Sequence, residues 1–191
     1  NEPTVAQAGP ATAEECDLSI DLSGVQSISG STASWSVVLG TATDITFSNS
    51  NIFNPTASSI AYGSYTLRLT ETNGSCVTTD DIVVTFRAQP VADAGTGGSV
   101  CGKDAGSPFT FTGVASFGTG VWTQTSGSGA SAFSNSASAV SSVTVDTYGS
   151  YVFRWTETNG TGCTDFDEVT VVFNEPTVAQ AGPATAEECD L

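Results

Sequence analysis

Histidine and methionine are absent from this chain of 191 residues, and only four residues are basic against twenty acidic ones. Without histidine, no Ser-His-Asp relay can be assembled, however abundant serine is. Zinc is excluded on the same ground, because the five cysteines stand apart, lack C-x-x-C spacing and have no histidines to complete a tetrahedral set. No G-x-S-x-G elbow lies between a strand and a helix, and no window sustains a 3.6-residue period, so no helix is expected. The formal net charge of −16 argues against nucleic acid, whose phosphates need a basic footprint, and against anionic membrane surfaces. No run of 18 apolar residues is present, which excludes a membrane-spanning helix and direct membrane insertion by one. A signal peptide is also missing, but a chain that opens inside a repeat says nothing about export.

What is present is repetition. Residues 1–18 read NEPTVAQAGPATAEECDL and residues 174–191 read the same, a period of 173 residues. A segment of that size cannot bury enough apolar surface to fold alone. The expectation is one period of a longer array with the start of the next attached. Inside the period the chain repeats again. Tyr62–Phe86 reads YGSYTLRLTETNGSCVTTDDIVVTF and Tyr148–Phe173 reads YGSYVFRWTETNGTGCTDFDEVTVVF. The boundaries are therefore 1–86, 87–173 and a fragment 174–191. Acids and bases divide nine to one, seven to three and four to none over these three segments, so acidity runs along the whole array and keeps it soluble.

Apolar residues alternate with period two, the pattern of half-buried strands. One inward set is Tyr65, Leu67, Leu69, Ile82, Val84 and Phe86, and its counterpart is Tyr151, Phe153, Trp155, Val169, Val171 and Phe173. Leu18, Ile20, Leu22, Trp35, Val37, Leu39, Ile45, Phe47, Ile60 and Tyr62 extend the pattern upstream, matched by Phe109, Phe111, Trp122, Phe133, Val143 and Val145. Each late pair of strands is joined at an Asn-Gly turn. About seven short strands per repeat, with a tryptophan (Trp35, Trp122) on the third and a tyrosine (Tyr65, Tyr151) opening the sixth, predict tandem all-β immunoglobulin-like sandwiches. The tyrosines either form corner hydrogen bonds or only fill core volume.

The openings AQAG and ADAG with a cysteine soon after, the third-strand motif GTGVW, and the closings YGSYTLRLTETNGSC and YGSYVFRWTETNGTGC resemble the PKD-like repeats of giant surface proteins of Bacteroidota. The resemblance covers both full repeats. It implies an extended array in a type IX-secreted adhesin or filament at the cell surface, in the manner of gliding adhesins and grappling hooks. Leu69 in place of Trp155, and Gln7 in place of Asp93, are departures that leave the fold intact.

Carboxylates gather near the turn between the sixth and seventh strands: Glu71, Asp80 and Asp81 in the first repeat, Glu157, Asp165, Asp167 and Glu168 in the second. These are candidates for a calcium site, since calcium takes six to eight oxygens, or else for a solvated acidic turn. No other cofactor is expected. Asn73 and Asn159 begin glycosylation triplets that a hairpin turn would also require. Arg68 and Arg154 face away from the apolar set, free either to dock on an acidic neighbour across an interface or to lie solvated over the sheet. An internal Lys-Asn isopeptide in every repeat is excluded, because Lys103 is the only lysine.

Each repeat carries one cysteine before its second strand (Cys16, Cys101, and Cys189 in the fragment) and one after its sixth (Cys76, Cys163). In an immunoglobulin-like sandwich those two positions lie at opposite poles, ~20 Å or more apart for strands of ~6 residues. A disulfide spans only about 4.4–6.8 Å between Cα atoms. Cys16 is therefore expected to bond Cys163 of the next repeat, with Cys76, Cys101 and Cys189 bonding cysteines of further repeats. The sequence favours a non-enzymatic, secreted shaft whose partners are adjacent repeats and identical chains in a bundle. A module binding carbohydrate or another ligand, and the stalk of a secreted enzyme, are the alternatives.

Overall fold

The computed structural model describes residues 3–180 and residue 182, so the expectation for Cys189 lies outside the described residues. Two compact units are formed. The first gathers Asn1–Asp93, Ala115–Gly120 and Thr156–Phe166, and the second Ala94–Val114, Val121–Trp155 and Asp167–Leu191. The tip of the second repeat's last hairpin thus belongs to the first unit.

Repeat 1 has seven strands: β1 (Thr12–Glu15), β2 (Ser19–Asp21), β3 (Thr32–Leu39), β4 (Ile45–Phe47), β5 (Thr56–Ser59), β6 (Gly63–Asn73) and β7 (Cys76–Phe86). One sheet has the order β1-β7-β6-β3 and the other β2-β5-β4. Strand β1 runs parallel to β7, with Thr12 opposite Val83 and Glu15 opposite Phe86. Repeat 2 repeats the plan with β8 (Gly98–Cys101), β9 (Phe109–Thr110), β10 (Thr119–Ser126), β11 (Ser131–Phe133), β12 (Ser142–Val145), β13 (Gly149–Thr158) and β14 (Thr164–Asn174). Its sheets are β10-β13-β14-β8 and β11-β12-β9, with β8 parallel to β14. Two antiparallel sheets, one edged by a short parallel strand, make the immunoglobulin-like sandwich.

The alternation puts Trp35, Tyr65, Leu67, Leu69, Ile82, Val84 and Phe86 in the core of repeat 1. Trp122, Tyr151, Phe153, Trp155, Val169, Val171 and Phe173 are buried in repeat 2. Each early tryptophan satisfies its ring N–H on a carbonyl, Trp35 on Phe53 and Trp122 on Ser138, at 3.2 and 3.0 Å. Each tyrosine hydroxyl reaches back four residues, Tyr65 to the Ala61 carbonyl at 3.2 Å and Tyr151 to the Thr147 carbonyl at 2.6 Å. Of the two readings of these tyrosines, the corner hydrogen bond is the one observed.

Three apolar residues assigned inward are outside. Leu39 is 70% exposed because the ladder slips between Val37 and Leu39, and a bulge of one residue turns the next side chain to the opposite face. Ile60 and Tyr62, 75% and 54% exposed, fall on the connection after β5, whose inward residues are Ala57 and Ser59.

Candidate functional site

The chemistry of the molecule is concentrated where β1 ends. Beyond the pairing of Glu15 with Phe86, the Arg87 amide donates to the Glu15 carbonyl at 2.8 Å, which carries the parallel ladder one step past β7. Cys16 follows at once. Cys76 heads the same β7, ten residues before Phe86, so along the strand it lies ~33 Å away. Cys16 instead bonds Cys163, with Cα atoms 5.2 Å apart and a sequence separation of 147. Cys163 is fully buried and Cys16 half-buried, and both belong to the first unit.

A polar cluster surrounds this bond. Glu14 Oε1 accepts from Arg87 Nη2 at 2.8 Å and from Arg87 Nε at 3.1 Å, while its Oε2 accepts from the Thr161 amide at 2.6 Å. The Arg87 guanidinium, followed by the Thr161 amide, lowers the Glu14 carboxyl to about 2. Asn159 Nδ2 donates to the Ala88 carbonyl at 2.8 Å, and Gln89 Nε2 donates to the Thr164 carbonyl at 2.8 Å. Gly160 permits the close approach. Its φ of +78° suits glycine, and a Cβ there would collide with the Arg87 side chain. Sequence reasoning found the two cysteines but missed Glu14, Arg87 and Thr161, whose sole signal was their nearness in sequence to the cysteines and the repeat boundary.

The carboxylates considered for calcium do not converge: no group of three or more metal-ligating side chains occurs among the described residues. Each serves a hydrogen bond of the fold. Glu71 is buried and accepts from the Ser27 amide and hydroxyl and from the Ser31 hydroxyl. Burial raises its pKa, but the Ser31 and Ser27 hydrogen bonds outweigh that and the net shift is downward. Glu157, equally buried, accepts from the Ser116 amide and hydroxyl. Asp80 holds the Ala8 amide at 2.8 Å, Asp165 the Ala92 amide at 2.9 Å and Asp167 the Ala94 amide at 3.0 Å. These aspartates anchor the incoming segment of each repeat, AQAG or ADAG, onto its last hairpin.

Both arginines lie partly exposed on the sheet and pair within their own repeat. Arg68 forms a two-pronged pair with Asp81 across β6 and β7, at 2.7 and 2.8 Å, and this holds the Asp81 carboxyl below the usual range. Arg154 pairs with Glu168 at 2.9 Å. Asn73 and Asn159 open their turns, Cys76 heads β7, and Cys101 ends β8 exposed to solvent.

No family model matches the chain, and no curated protein matches it. Among solved structures, it is similar to the extracellular domains 3–5 of Drosophila OTK, with a TM-score of 0.59 and 9% identity over 91% of this chain and 62% of that one. The chain thus spans less than two thirds of that structure. Human protocadherin-24 EC1-2 matches at a TM-score of 0.38, 8% identity, 92% of this chain and 100% of that one. A SusE-like surface-located polysaccharide binding protein from the Bacteroides thetaiotaomicron heparin utilisation locus matches at 0.34, 14%, 89% and 34%. The last two scores are too low to carry an argument, and at 9% identity the first is a likeness of fold alone.

Proposed function

We propose that this chain is a structural, non-catalytic segment of a secreted array of immunoglobulin-like domains, the shaft of an extracellular filament or giant surface adhesin used for attachment, gliding or capture. One observation carries this reading: the Cys16–Cys163 bond and the Glu14–Arg87–Thr161 cluster bridge the first repeat and the hairpin tip of the second. Under a pull applied at the chain ends, tension entering at Cys16 leaves at Cys163 through a single covalent bond. The stretch between them, which spans a sequence separation of 147, bears none of it. A disulfide in this role belongs to an oxidising compartment, which supports export to the cell exterior. The backbone connection, VVTFRAQPV from Val83 to Val91, holds no Gly/Ser-rich linker, and Pro90 narrows its freedom further. Adjacent repeats are the first partners of each repeat, and identical chains in a bundle the second.

Small-angle scattering with and without reductant tests the rigidity this role requires. The oxidised chain should give a narrow distribution of maximum dimensions that broadens when the bond is reduced. Equal breadth in both states would favour a flexible binding module instead.

A further inference from the structure

Repeat 2 reproduces, in strand register, the strand end that carries the clamp in repeat 1. Strand β8 pairs with β14 so that Val100 faces Phe173 and Cys101 faces Asn174, as Glu15 faces Phe86 in β1 and β7. Cys101 therefore occupies the place of Cys16, Ser99 that of Glu14, and Asn174 that of Arg87. The ladder runs one bond further than in repeat 1, with the Gly102 amide donating to the Asn174 carbonyl at 2.9 Å. What Cys16 meets there is the tip of the hairpin of the repeat that follows. Residues 174–191 are identical to residues 1–18, so on the array reading the incoming repeat is of the first type and brings the tip Asn73-Gly74-Ser75-Cys76.

We propose that the end of β8 and β14 is a docking surface for the Asn73–Cys76 hairpin tip of a second copy of repeat 1, closed by a disulfide between Cys101 and that copy's Cys76. This rests on the array reading above and deepens it by naming the partner. The joint differs in kind from the one at Cys16, since Ser99 and Asn174 replace the ion pair, and it is neutral.

The mechanical consequence supports the assignment. In an array of period 173, bonds of the Cys16–Cys163 type alone leave residues 164–188 outside any cross-linked loop, carrying the full tension. A bond from Cys101 to the next hairpin spans that gap, and every residue then lies within at least one loop. Closure takes two thiols to one disulfide. In a glutathione buffer, the two electrons and two protons reduce one glutathione disulfide to two glutathiones.

The experiment incubates the full chain, as a mixture of unlabelled and nitrogen-15-labelled copies, in reduced and oxidised glutathione, followed by non-reducing electrophoresis and peptide mapping. The expected result is a ladder of whole-chain multiples in which Cys101 of one copy is joined to Cys76 of another, and loss of that ladder in Cys101→Ser. Cys101 joined to Cys189 or to a second Cys101, or carrying only glutathione, overturns the proposal. The same map separates the two levels of the account. Absence of Cys16–Cys163 defeats the array clamp itself, whereas its presence without Cys101–Cys76 defeats only the docking surface.

Discussion

The two hairpin tips make the sharpest contrast in the molecule. In the first, Asn73 pairs directly with Cys76 and two residues turn the chain, with Gly74 at a φ of +65°, the sign a II′ turn needs at its first central position. In the second, Asn159-Gly160-Thr161-Gly162-Cys163 carries one more residue, closed by the Asn159 amide on the Cys163 carbonyl at 2.8 Å. From nearly identical lead-ins, TETNG, one tip heads directly into its strand, while the other presents Thr161 to Glu14 and Cys163 to Cys16. Elsewhere the repeats agree wherever the sandwich demands it, at Trp35 and Trp122, Tyr65 and Tyr151, Glu71 and Glu157. The lesson is that common positions hold the fold and the differing ones make the joint.

The cores differ too, and the largest expected effect exploits that. Trp122 stacks on Phe111 with centroids 3.8 Å apart and touches Trp155 at 5.4 Å, whereas Leu69 takes the place of Trp155 in repeat 1. Trp122→Ala should cost about 3–5 kcal/mol in denaturant unfolding, and Trp35→Ala less, though in the same range. A cost for Trp122→Ala below about 1 kcal/mol would mean that the aromatic stack contributes nothing.

Next comes the buried carboxylate. Glu71→Ala strands the donors of Ser27 and Ser31 and should destabilise by about 1–3 kcal/mol. If calcium raises the melting temperature of the native chain by several degrees while leaving Glu71→Ala unmoved, the purely hydrogen-bonding role assigned to Glu71 is wrong.

The joints themselves can be separated by pH. Glu14 has a folded pKa of about 2, below its ordinary value of 4.5, so its stabilising contribution is full above about pH 4.5 and fades as the pH falls towards 2. Glu14→Gln should flatten that part of the acid unfolding curve. Ser99, its counterpart, has nothing to titrate, and Ser99→Ala should leave the curve in place. An unchanged acid limb in Glu14→Gln would remove the ion pair from the account.

The smallest effect belongs to the cross-strand pair on the outer face. Arg68 and Asp81 have side chains 38% and 37% exposed, so Asp81→Asn should cost only about 0.2–1 kcal/mol, less in high salt. A loss that salt does not reduce would point to a structural rather than ionic role.

The fold was readable because a period of two over paired strands admits few arrangements, and a tryptophan on the third strand with a tyrosine on the sixth selects one of them. Leu39 was misread because a bulge changes register without leaving a mark in the pattern. Asp80, Asp165 and Asp167 suggested metal because acidity near a turn looks the same whether an oxygen meets a cation or a backbone amide. Glu14, Arg87 and Thr161 were invisible for a related reason: they lie as far as 147 residues apart, and no local rule links a glutamate on a short edge strand to an amide in a distant hairpin.

The central claim is that the Cys16–Cys163 bond shields the chain between its cysteines from tension. Single-molecule pulling at the two ends tests it directly. With the bond intact, unfolding should release only the residues outside the loop; reductant should add the stretch between the cysteines, whose sequence separation of 147 corresponds to about 500 Å at roughly 3.4 Å per residue. Equal contour lengths in the two conditions would contradict the account.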